Sequence, residues 1–216
     1  MGDVTDTNKK ALIIGGHGKV ALLAAPKLID AGFSVTSLIR NPEQRGDIEA
    51  TGATALIEDI TKQDGKSWAE IIKDYDTVIW SAGNGGKGGA ETTLAVDRDG
   101  ALALIDGLEL LHADGKAPRF VMVSYIGSLD HDGDPQDSWG AYVVAKRTVD
   151  ERLIASDLNY LILAPSALTE EPAGEYEEVP NHSIKDTHTS REVVAEVIAK
   201  EAGSERTGQC AFIDKN

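Results

Sequence analysis

Residues 11–21 read ALIIGGHGKVA, an apolar run that passes through three glycines into a second apolar segment. The first run predicts a buried strand, and Lys19–Ala31 predicts the helix that follows it. Gly15 and Gly18 permit a tight turn and let backbone amides approach a pyrophosphate, while the small Ala21 lets the helix pack on the sheet. This arrangement is typical of a dinucleotide-binding unit, although a tight turn without a ligand has the same pattern.

Short β-branched runs alternate with longer helical patterns along the whole chain of 216 residues. We predict strands at Ala11–Ile14, Ser34–Ile39, Thr54–Ile57, Thr77–Trp80, Phe120–Ser124, Leu158–Leu163 and Cys210–Ile213. We predict helices near Lys19–Ala31, Pro42–Ala50, Ser67–Asp74, Leu94–Ala113, Trp139–Ser156 and Arg191–Ala202. Strands that are apolar throughout are buried on both faces, so the fold class is α/β, a doubly wound parallel β-sheet with helices on both faces.

Composition excludes several classes of protein. Lys and Arg number 21 against 36 Asp and Glu, which gives a net charge of −15. This charge repels phosphate backbones and anionic membranes, so we expect a small-molecule ligand, no nucleic acid and no membrane partner. The start of the chain does not resemble a secretory or transit signal, which predicts a cytoplasmic protein.

We expect no metal site. Cys210 is the single cysteine, so neither an internal disulfide nor a cysteine-based metal site is predicted. The five histidines lack metal-ligand spacing. The acidic residues at 130–137 resemble a calcium loop only superficially, and we interpret that segment as a solvated acidic loop.

Three irregular segments, at 81–90, 126–138 and 165–184, each follow the end of a predicted strand. Ligands of open α/β sheets bind outside the carboxyl ends of the strands, so these segments are expected to border a site. Alternatively, they are ordinary surface loops.

The end of the second strand distinguishes between nicotinamide cofactors. NAD-binding proteins usually place an acidic residue there to hold the ribose 2′-hydroxyl, whereas this chain has Arg40, followed by Asn41 and Pro42. A guanidinium can bind a 2′-phosphate in bidentate fashion, which favours NADP(H) and leaves NAD(H) as the weaker alternative. An arginine on the solvent rim of a strand would look the same. Asp59, after the third strand, is either an acceptor for the adenine amino group or a turn aspartate.

Six segments together resemble the short-chain dehydrogenase/reductase superfamily. They are GGHGKVA, SLIRNPEQ, EDI, RFVMVS, YVVAKRTVDERLIASDLNYLILAPSALTEEPAGEY and TSREVVAEVI, in that order. The resemblance is to its atypical NAD(P)H-binding branch, which is NmrA-like or NAD-dependent epimerase/dehydratase-like. It implies a flexible segment at 1–9 and a single Rossmann-like domain at 10–216, with a substrate or lid loop at about 165–190. NADP(H) is the implied cofactor.

The resemblance also implies a catalytic pair, Tyr142 and Lys146, with Ser124 as the third member. A cation beside the phenol would lower its pKa, and the lysine would also hold the nicotinamide ribose. Alternatively, Lys146 is a ribose ligand only and Tyr142 is an aromatic facing the pocket. Trp139 and Tyr176 are candidate lids. The implied cofactor-binding residues are Gly15, Gly16, His17, Gly18, Lys19, Val20, Arg40, Asn41, Asp59, Ile60, Ser81, Ala82, Gly83, Lys146, Pro165, Ser166, Ala167 and Leu168.

Two departures from the superfamily pattern bear on catalysis. The usual pair of small hydroxyl residues is Ser124-Tyr125 here, so Ser124, Ser128 or neither replaces the usual catalytic serine. The usual Arg-Pro-Gly is replaced by the tripeptide Ala-Pro-Ser at residues 164–166. From the cofactor turn and the pair of Tyr142 and Lys146, we nevertheless expect an NADP(H)-dependent oxidoreductase, monomeric or homodimeric, that reduces a small carbonyl, quinone or flavin-like acceptor. The alternatives are a non-catalytic NADP(H)-sensing regulator and an epimerase or dehydratase acting on a small substrate.

Overall fold

The computed structural model describes residues 8–83 and 88–215, which contain an eight-stranded β-sheet and a separate two-stranded one. The strands are β1 (Lys9–Ile14), β2 (Phe33–Ile39), β3 (Thr54–Ile57), β4 (Thr77–Trp80), β5 (Arg119–Val123), β6 (Tyr160–Pro165), β7 (Ala167–Thr169), β8 (Tyr176–Val179), β9 (His188–Ser190) and β10 (Gly208–Asp214). The order in the large sheet is β3-β2-β1-β4-β5-β6-β10-β8, and β7 pairs with β9. All neighbours are parallel except β8, which runs antiparallel to β10.

Helices cover both faces of the sheet. They are α1 (Lys19–Asp30), α2 (Arg45–Ala50), α3 (Gly65–Ile72), α4 (Ala90–Thr93), α5 (Ala101–Ala113), α6 (Ser138–Ile154) and α7 (Arg191–Glu201). Short 3₁₀ helices occupy Pro42–Gln44 and Ile60–Lys62, and a π-helix occupies Leu94–Gly100 between α4 and α5.

Two hydrophobic cores lie on opposite faces of the sheet, and β1 contributes alternate side chains to each. Ala11 and Ile13 pack in one core with α1 and α7, while Leu12 and Ile14 pack in the other with α3, α5 and α6. All four side chains are fully buried, which explains why this strand is apolar throughout. The predicted α/β fold with a doubly wound sheet is therefore confirmed.

The segment at 165–184 differs from the sequence prediction, because it contains two strands instead of an irregular loop. In the second of them, β8, Tyr176 and Val179 are half-buried and Glu177 and Glu178 are exposed. A four-residue edge strand with two exposed glutamates lacks the apolar character by which strands are recognised. Near the start of the chain, β1 begins at Lys9, two residues before the predicted start of the strand at Ala11 and one residue before the expected start of the domain at residue 10. Residues 1–7 lie outside the described part.

The predicted helix at Leu94–Ala113 is also interrupted. Its first seven residues form the π-helix, and α5 begins only at Ala101. Departures from α-helical into π-helical geometry occur frequently at functional sites. In the described ranges no helix is both long and apolar enough to cross a membrane.

Candidate functional site

A cleft of about 330 Å³ lies at the carboxyl ends of β1, β2 and β4. Strand β1 has β2 on one side and β4 on the other, so the chain changes direction across the sheet at this point. Ligands of doubly wound sheets bind at such a switch point. Of the predicted cofactor-binding residues, ten line the cleft: Gly15, Gly16, His17, Gly18, Arg40, Asp59, Ile60, Ser81, Ala82 and Gly83. Seven further lining residues were not predicted: Leu38, Ile39, Gln44, Glu58, Thr61, Thr92 and Val96.

The floor of the cleft is the glycine turn after β1. Gly15 has φ = +81°, and a Cβ there would lie 2.5 Å from the Cα of Ala82. A Cβ on Gly16 would lie 2.5 Å from the Cβ of Ser37. The turn is closed by the amide of Gly18, which donates to the carbonyl oxygen of Gly15 at 2.9 Å. The first two glycines therefore hold the backbone against the sheet, where a side chain would not fit.

Helix α1 begins directly after this turn. Its N-cap is Gly18, which has no capping side chain, and its first turn contains no acidic residue. The first amides of an α-helix have no partner within the helix, and the positive end of the helix dipole lies there. A turn without side chains, followed by an uncapped helix N-terminus, fits the pyrophosphate of a dinucleotide. Nearby, Nε2 of His17 lies 2.7 Å from Oδ2 of Asp47.

Arg40 lines the cleft with its side chain exposed, which fits both a ligand of a 2′-phosphate and an arginine on the solvent rim of the strand. Asp59 also lines it, but Oδ1 of this residue accepts from the amide and the hydroxyl of Thr61 at 3.0 and 2.7 Å. These hydrogen bonds, helped by Lys62 and Arg40, lower the pKa of the carboxyl of Asp59. One oxygen of this aspartate is therefore used by its own turn. Its neighbour Glu58 brings a second carboxylate to the same wall.

Eight predicted cofactor-binding residues do not line the cleft. Lys19 forms an ion pair with Glu170 at 2.6 Å, Val20 is buried in the core, and Asn41 caps the following 3₁₀ helix. The others are Lys146, Pro165, Ser166, Ala167 and Leu168. The hydroxyl of Ser166 is bonded within its own region, to the carbonyl oxygen of Thr187 at 2.8 Å.

The expected pair of Tyr142 and Lys146 lies one turn apart on α6. The Nζ of Lys146 is 5.8 Å from the centre of the Tyr142 ring, donates to the carbonyl oxygen of Val123 at 3.1 Å, and lies 3.7 Å from Oδ1 of Asp97. The side chains of Lys146 and Asp97 are both buried.

The expectation that Lys146 lowers the pKa of Tyr142 is wrong for this structure. Burial, with the nearby carboxylate of Asp97 as the second cause, raises the pKa of the phenol above its ordinary value of 10. The lysine is already paired with that carboxylate, so the positive charge cannot act on the phenol alone. Tyr142 is thus a phenol that keeps its proton at neutral pH.

Ser124 does lie beside this pair, but its hydroxyl is used by a residue that the sequence did not indicate. The hydroxyls of Ser124 and Ser128 both donate to Oδ2 of Asp150, at 2.5 and 2.6 Å. Burial raises the pKa of Asp150 to about 6, although the two hydroxyls and Lys146 oppose that rise. Asp150 follows Tyr142 and Lys146 at the same four-residue spacing on α6, which is the sequence signal that would have identified it.

An aromatic cluster surrounds Tyr142, and we define it as Tyr125, His131, Trp139 and Tyr142. The ring of Trp139 stacks on that of Tyr142 with centroids 5.4 Å apart, and Tyr125 stacks on Tyr142 at 5.6 Å. Trp139 is 62% exposed, so one side of the cluster is open to a ligand. The other candidate lid, Tyr176, is not part of it and packs on Phe212 in the core on the opposite face of the sheet.

The acidic segment at 130–137 is held by its own carboxylates. Asp130 accepts from the amide of Ser183, Asp132 pairs with Arg147, and Asp137 caps α6. Within the described ranges, no group of three or more His, Cys, Asp or Glu side chains is placed to hold a metal ion.

Comparisons with known proteins agree with this geometry. The profile of a family described as NAD(P)H-binding matches residues 15–205. A Bacillus subtilis protein named as the uncharacterized sugar epimerase YhfK is 31% identical over 164 residues, which are 76% of this chain and 74% of that protein.

Several solved structures share the fold of this chain. A provisionally named NAD-dependent epimerase/dehydratase from Bacillus halodurans superposes with a TM-score of 0.82 at 28% identity, over 96% of this chain and 95% of the other. An anaerobilin reductase from Escherichia coli O157:H7 gives 0.72 at 19% identity, over 96% and 98%, which shows a shared fold alone.

Proposed function

The chain belongs to the NAD(P)H-binding family, and from that premise we propose that it is an NADP(H)-dependent oxidoreductase. One observation carries this proposal. The cleft with its glycine turn and the cluster around Tyr142 and Lys146 are contiguous, because a Cβ on Gly83 in the cleft wall would lie 2.6 Å from Oδ1 of Asp97, the partner of Lys146. A dinucleotide whose phosphates bind at the turn would thus extend toward a lysine and a protonated phenol.

The preference for NADP(H) over NAD(H) rests on Arg40. Its side chain is exposed on the cleft wall, where a guanidinium can bind a 2′-phosphate through charge-assisted hydrogen bonds. Glu58 and Asp59 stand on the same wall and would repel that phosphate, so the preference requires the attraction of the guanidinium to outweigh both carboxylates. In this proposal Arg40 sets the preference between the two dinucleotides.

We assign separate roles to the residues of the second cluster. When bound, the reduced cofactor supplies the hydride. Tyr142 donates a proton to the reduced acceptor, because the phenol carries its proton at neutral pH and lies beside the exposed ring of Trp139. Lys146 holds the ribose hydroxyls, and Ser124 and Ser128 fix the carboxylate that lies behind it.

The aromatic cluster favours a planar conjugated acceptor, such as a quinone or a flavin-like ring, over a small aliphatic carbonyl. One face of the Trp139 ring stacks on Tyr142, and most of the Trp139 side chain is exposed. A planar acceptor stacked there would bury the exposed indole and lie next to the proton donor.

The net charge of −15 opposes binding to nucleic acids and anionic membranes. We propose a cytoplasmic protein, monomeric or homodimeric.

A second candidate function, a non-catalytic NADP(H) sensor, is favoured by the direction of the serine hydroxyls. A hydroxyl has one proton, and both serines donate theirs to Asp150, so neither hydroxyl can donate to a substrate while that carboxylate is ionised. An epimerase or dehydratase acting on a small substrate is the third alternative, and the Bacillus subtilis relative is named as a sugar epimerase.

The test begins with thermal-shift titrations using NADPH, NADH, NADP⁺ and NAD⁺. Oxidation of NADPH is then followed across menadione, FMN and small aliphatic aldehydes. Binding followed by oxidation with the planar acceptors supports the oxidoreductase, and binding without oxidation of any acceptor supports the sensor. Failure of all four dinucleotides to bind would overturn both.

A further inference from the structure

Asp150 is a buried carboxylate without a cation of its own. Its side chain is 1% exposed, and Oδ2 accepts only the neutral hydroxyls of Ser124 and Ser128. Among residues 8–83 and 88–215, no ion pair within 4 Å includes Asp150, and Lys146 forms its ion pair with Asp97. Two neutral donors stabilise a carboxylate less than a cation does, so Asp150 is poised between its charged and neutral forms.

The groups around Asp150 do not change their own charge near neutral pH, so they allow Asp150 to titrate there. Lys146, on the same helix, stabilises the ionised form from a distance. Three phenols are also within electrostatic reach, Tyr142 on α6, Tyr125 after β5 and Tyr160 at the start of β6. The pKa of each phenol is raised, so all three remain neutral over the range in which Asp150 titrates. The pKa of Asp150 itself, at about 6, lies in the physiological range.

We propose that Asp150 is a proton-linked charge sensor for the redox state of the cofactor. This inference rests on the proposed function, in which the nicotinamide lies beside Tyr142 and Lys146. The reduced ring is neutral and the oxidised ring carries a positive charge. Asp150 therefore holds its proton more tightly opposite the reduced ring than opposite the oxidised ring, and the difference in its protonation is largest just below pH 6.

The size of the effect follows from Coulomb's law. A unit charge about 10 Å away, at an effective dielectric constant of about 20, changes the proton affinity of a carboxyl by roughly tenfold. Binding of the oxidised cofactor should therefore release a proton from Asp150, and its affinity should rise with pH. The affinity of the reduced cofactor should not share this rise.

The test compares the Kd of NADP⁺ with the Kd of NADPH between pH 5 and pH 8, using the intact protein. The 2′-phosphate also titrates near pH 6, but it is common to both forms and cancels in the ratio of the two constants. In the parent protein, NADP⁺ should gain about tenfold relative to NADPH as the pH rises through 6. In Asp150→Asn, the ratio should be independent of pH.

If Asp150→Asn folds poorly, the same ratio of Kd values can be measured in two further variants. Ser124→Ala removes a donor that lowers the pKa of Asp150, so the midpoint of the change should move to higher pH. Asp157→Asn, at an exposed aspartate just beyond α6, should keep the parental profile. A flat ratio in the parent, or an unchanged slope in Asp150→Asn, would overturn the inference while leaving the proposed function intact. Failure of both cofactor forms to bind would instead overturn the proposed function, and this inference with it.

Discussion

Gly15 and Ala82 approach so closely that a Cβ on the glycine would lie 2.5 Å from the Cα of the alanine. Gly15 also has φ = +81°, a conformation that costs an L-residue about 1–2 kcal/mol. Gly15→Ala should therefore destabilise the protein by at least that amount and weaken NADPH binding by about tenfold or more, because the turn must move. Thermal unfolding and a binding titration would measure the two effects.

Gly18 provides the matched control on the same turn. It has φ = −66°, which any residue adopts, and a Cβ there would lie 3.2 Å from the carbonyl oxygen of Gly15. Gly18→Ala should lose clearly less stability than Gly15→Ala, because its Cβ makes one tight contact and needs no positive φ. Gly18→Val should also keep the fold but lose dinucleotide binding, because a branched side chain would occupy the position of the pyrophosphate. Equal losses of stability in Gly15→Ala and Gly18→Ala would contradict this account of the turn.

Arg40 should set the preference between the two dinucleotides. We expect NADPH to bind at least about tenfold more tightly than NADH, a modest difference for a charge-assisted pair. Arg40→Ala should abolish the preference and leave NADH binding nearly unchanged. Arg45→Ala is the control, because Arg45 is exposed on α2 beside Glu49 and does not line the cleft. A preference that survives in Arg40→Ala would show that another residue makes the distinction.

Tyr142 should be needed for turnover and not for cofactor binding. Tyr142→Phe removes one hydroxyl, so NADPH affinity should change little, while oxidation of NADPH with an accepted substrate should fall roughly 10²–10⁴-fold. Because the pKa of the phenol is raised, the parental rate should show no loss from its ionisation between pH 6 and pH 9. Tyr160→Phe, at the start of β6 and outside both the cleft and the aromatic cluster, should keep parental turnover. If Tyr142→Phe kept the parental rate, Tyr142 would not be the proton donor, and Tyr142 and Lys146 would serve only to hold the nicotinamide ribose.

The sequence predicts which residues line the cleft better than it predicts the contacts of Ser124 and Lys146, for a physical reason. Glycines at a strand–helix junction and Arg40 at a strand end are local signals, since the backbone itself sets where they lie. The partners of Ser124 and Lys146 are set by packing between α6, β5 and the π-helix, which brings Asp150 and Asp97 from 26 and 49 positions away along the chain. No spacing of residues records the π turn that carries Asp97.

The same distinction holds for the fold. The sequence predicts seven of the eight strands of the large sheet, and burial on both faces makes the central ones apolar. The exception is the edge strand β8, where Glu177 and Glu178 are exposed, Glu178 pairs with Arg206, and the local composition resembles a loop. Its place was determined by pairing with β10, which is a tertiary contact.

Asp150 should also make the stability of the cofactor-free protein depend on pH. Burial raises its pKa to about 6 from an ordinary value of 3.8, so the folded state binds this proton more tightly than the unfolded state does. The resulting stabilisation is present below about pH 4 and is lost as the pH rises through 6. The difference in unfolding free energy between the parent and Asp150→Asn should therefore fall by roughly 2 kcal/mol from pH 4 to pH 7. Urea unfolding at closely spaced pH values would measure it, with Asp157→Asn as an exposed control that keeps the parental dependence. A difference that does not change with pH would mean that Asp150 carries the same charge throughout that range.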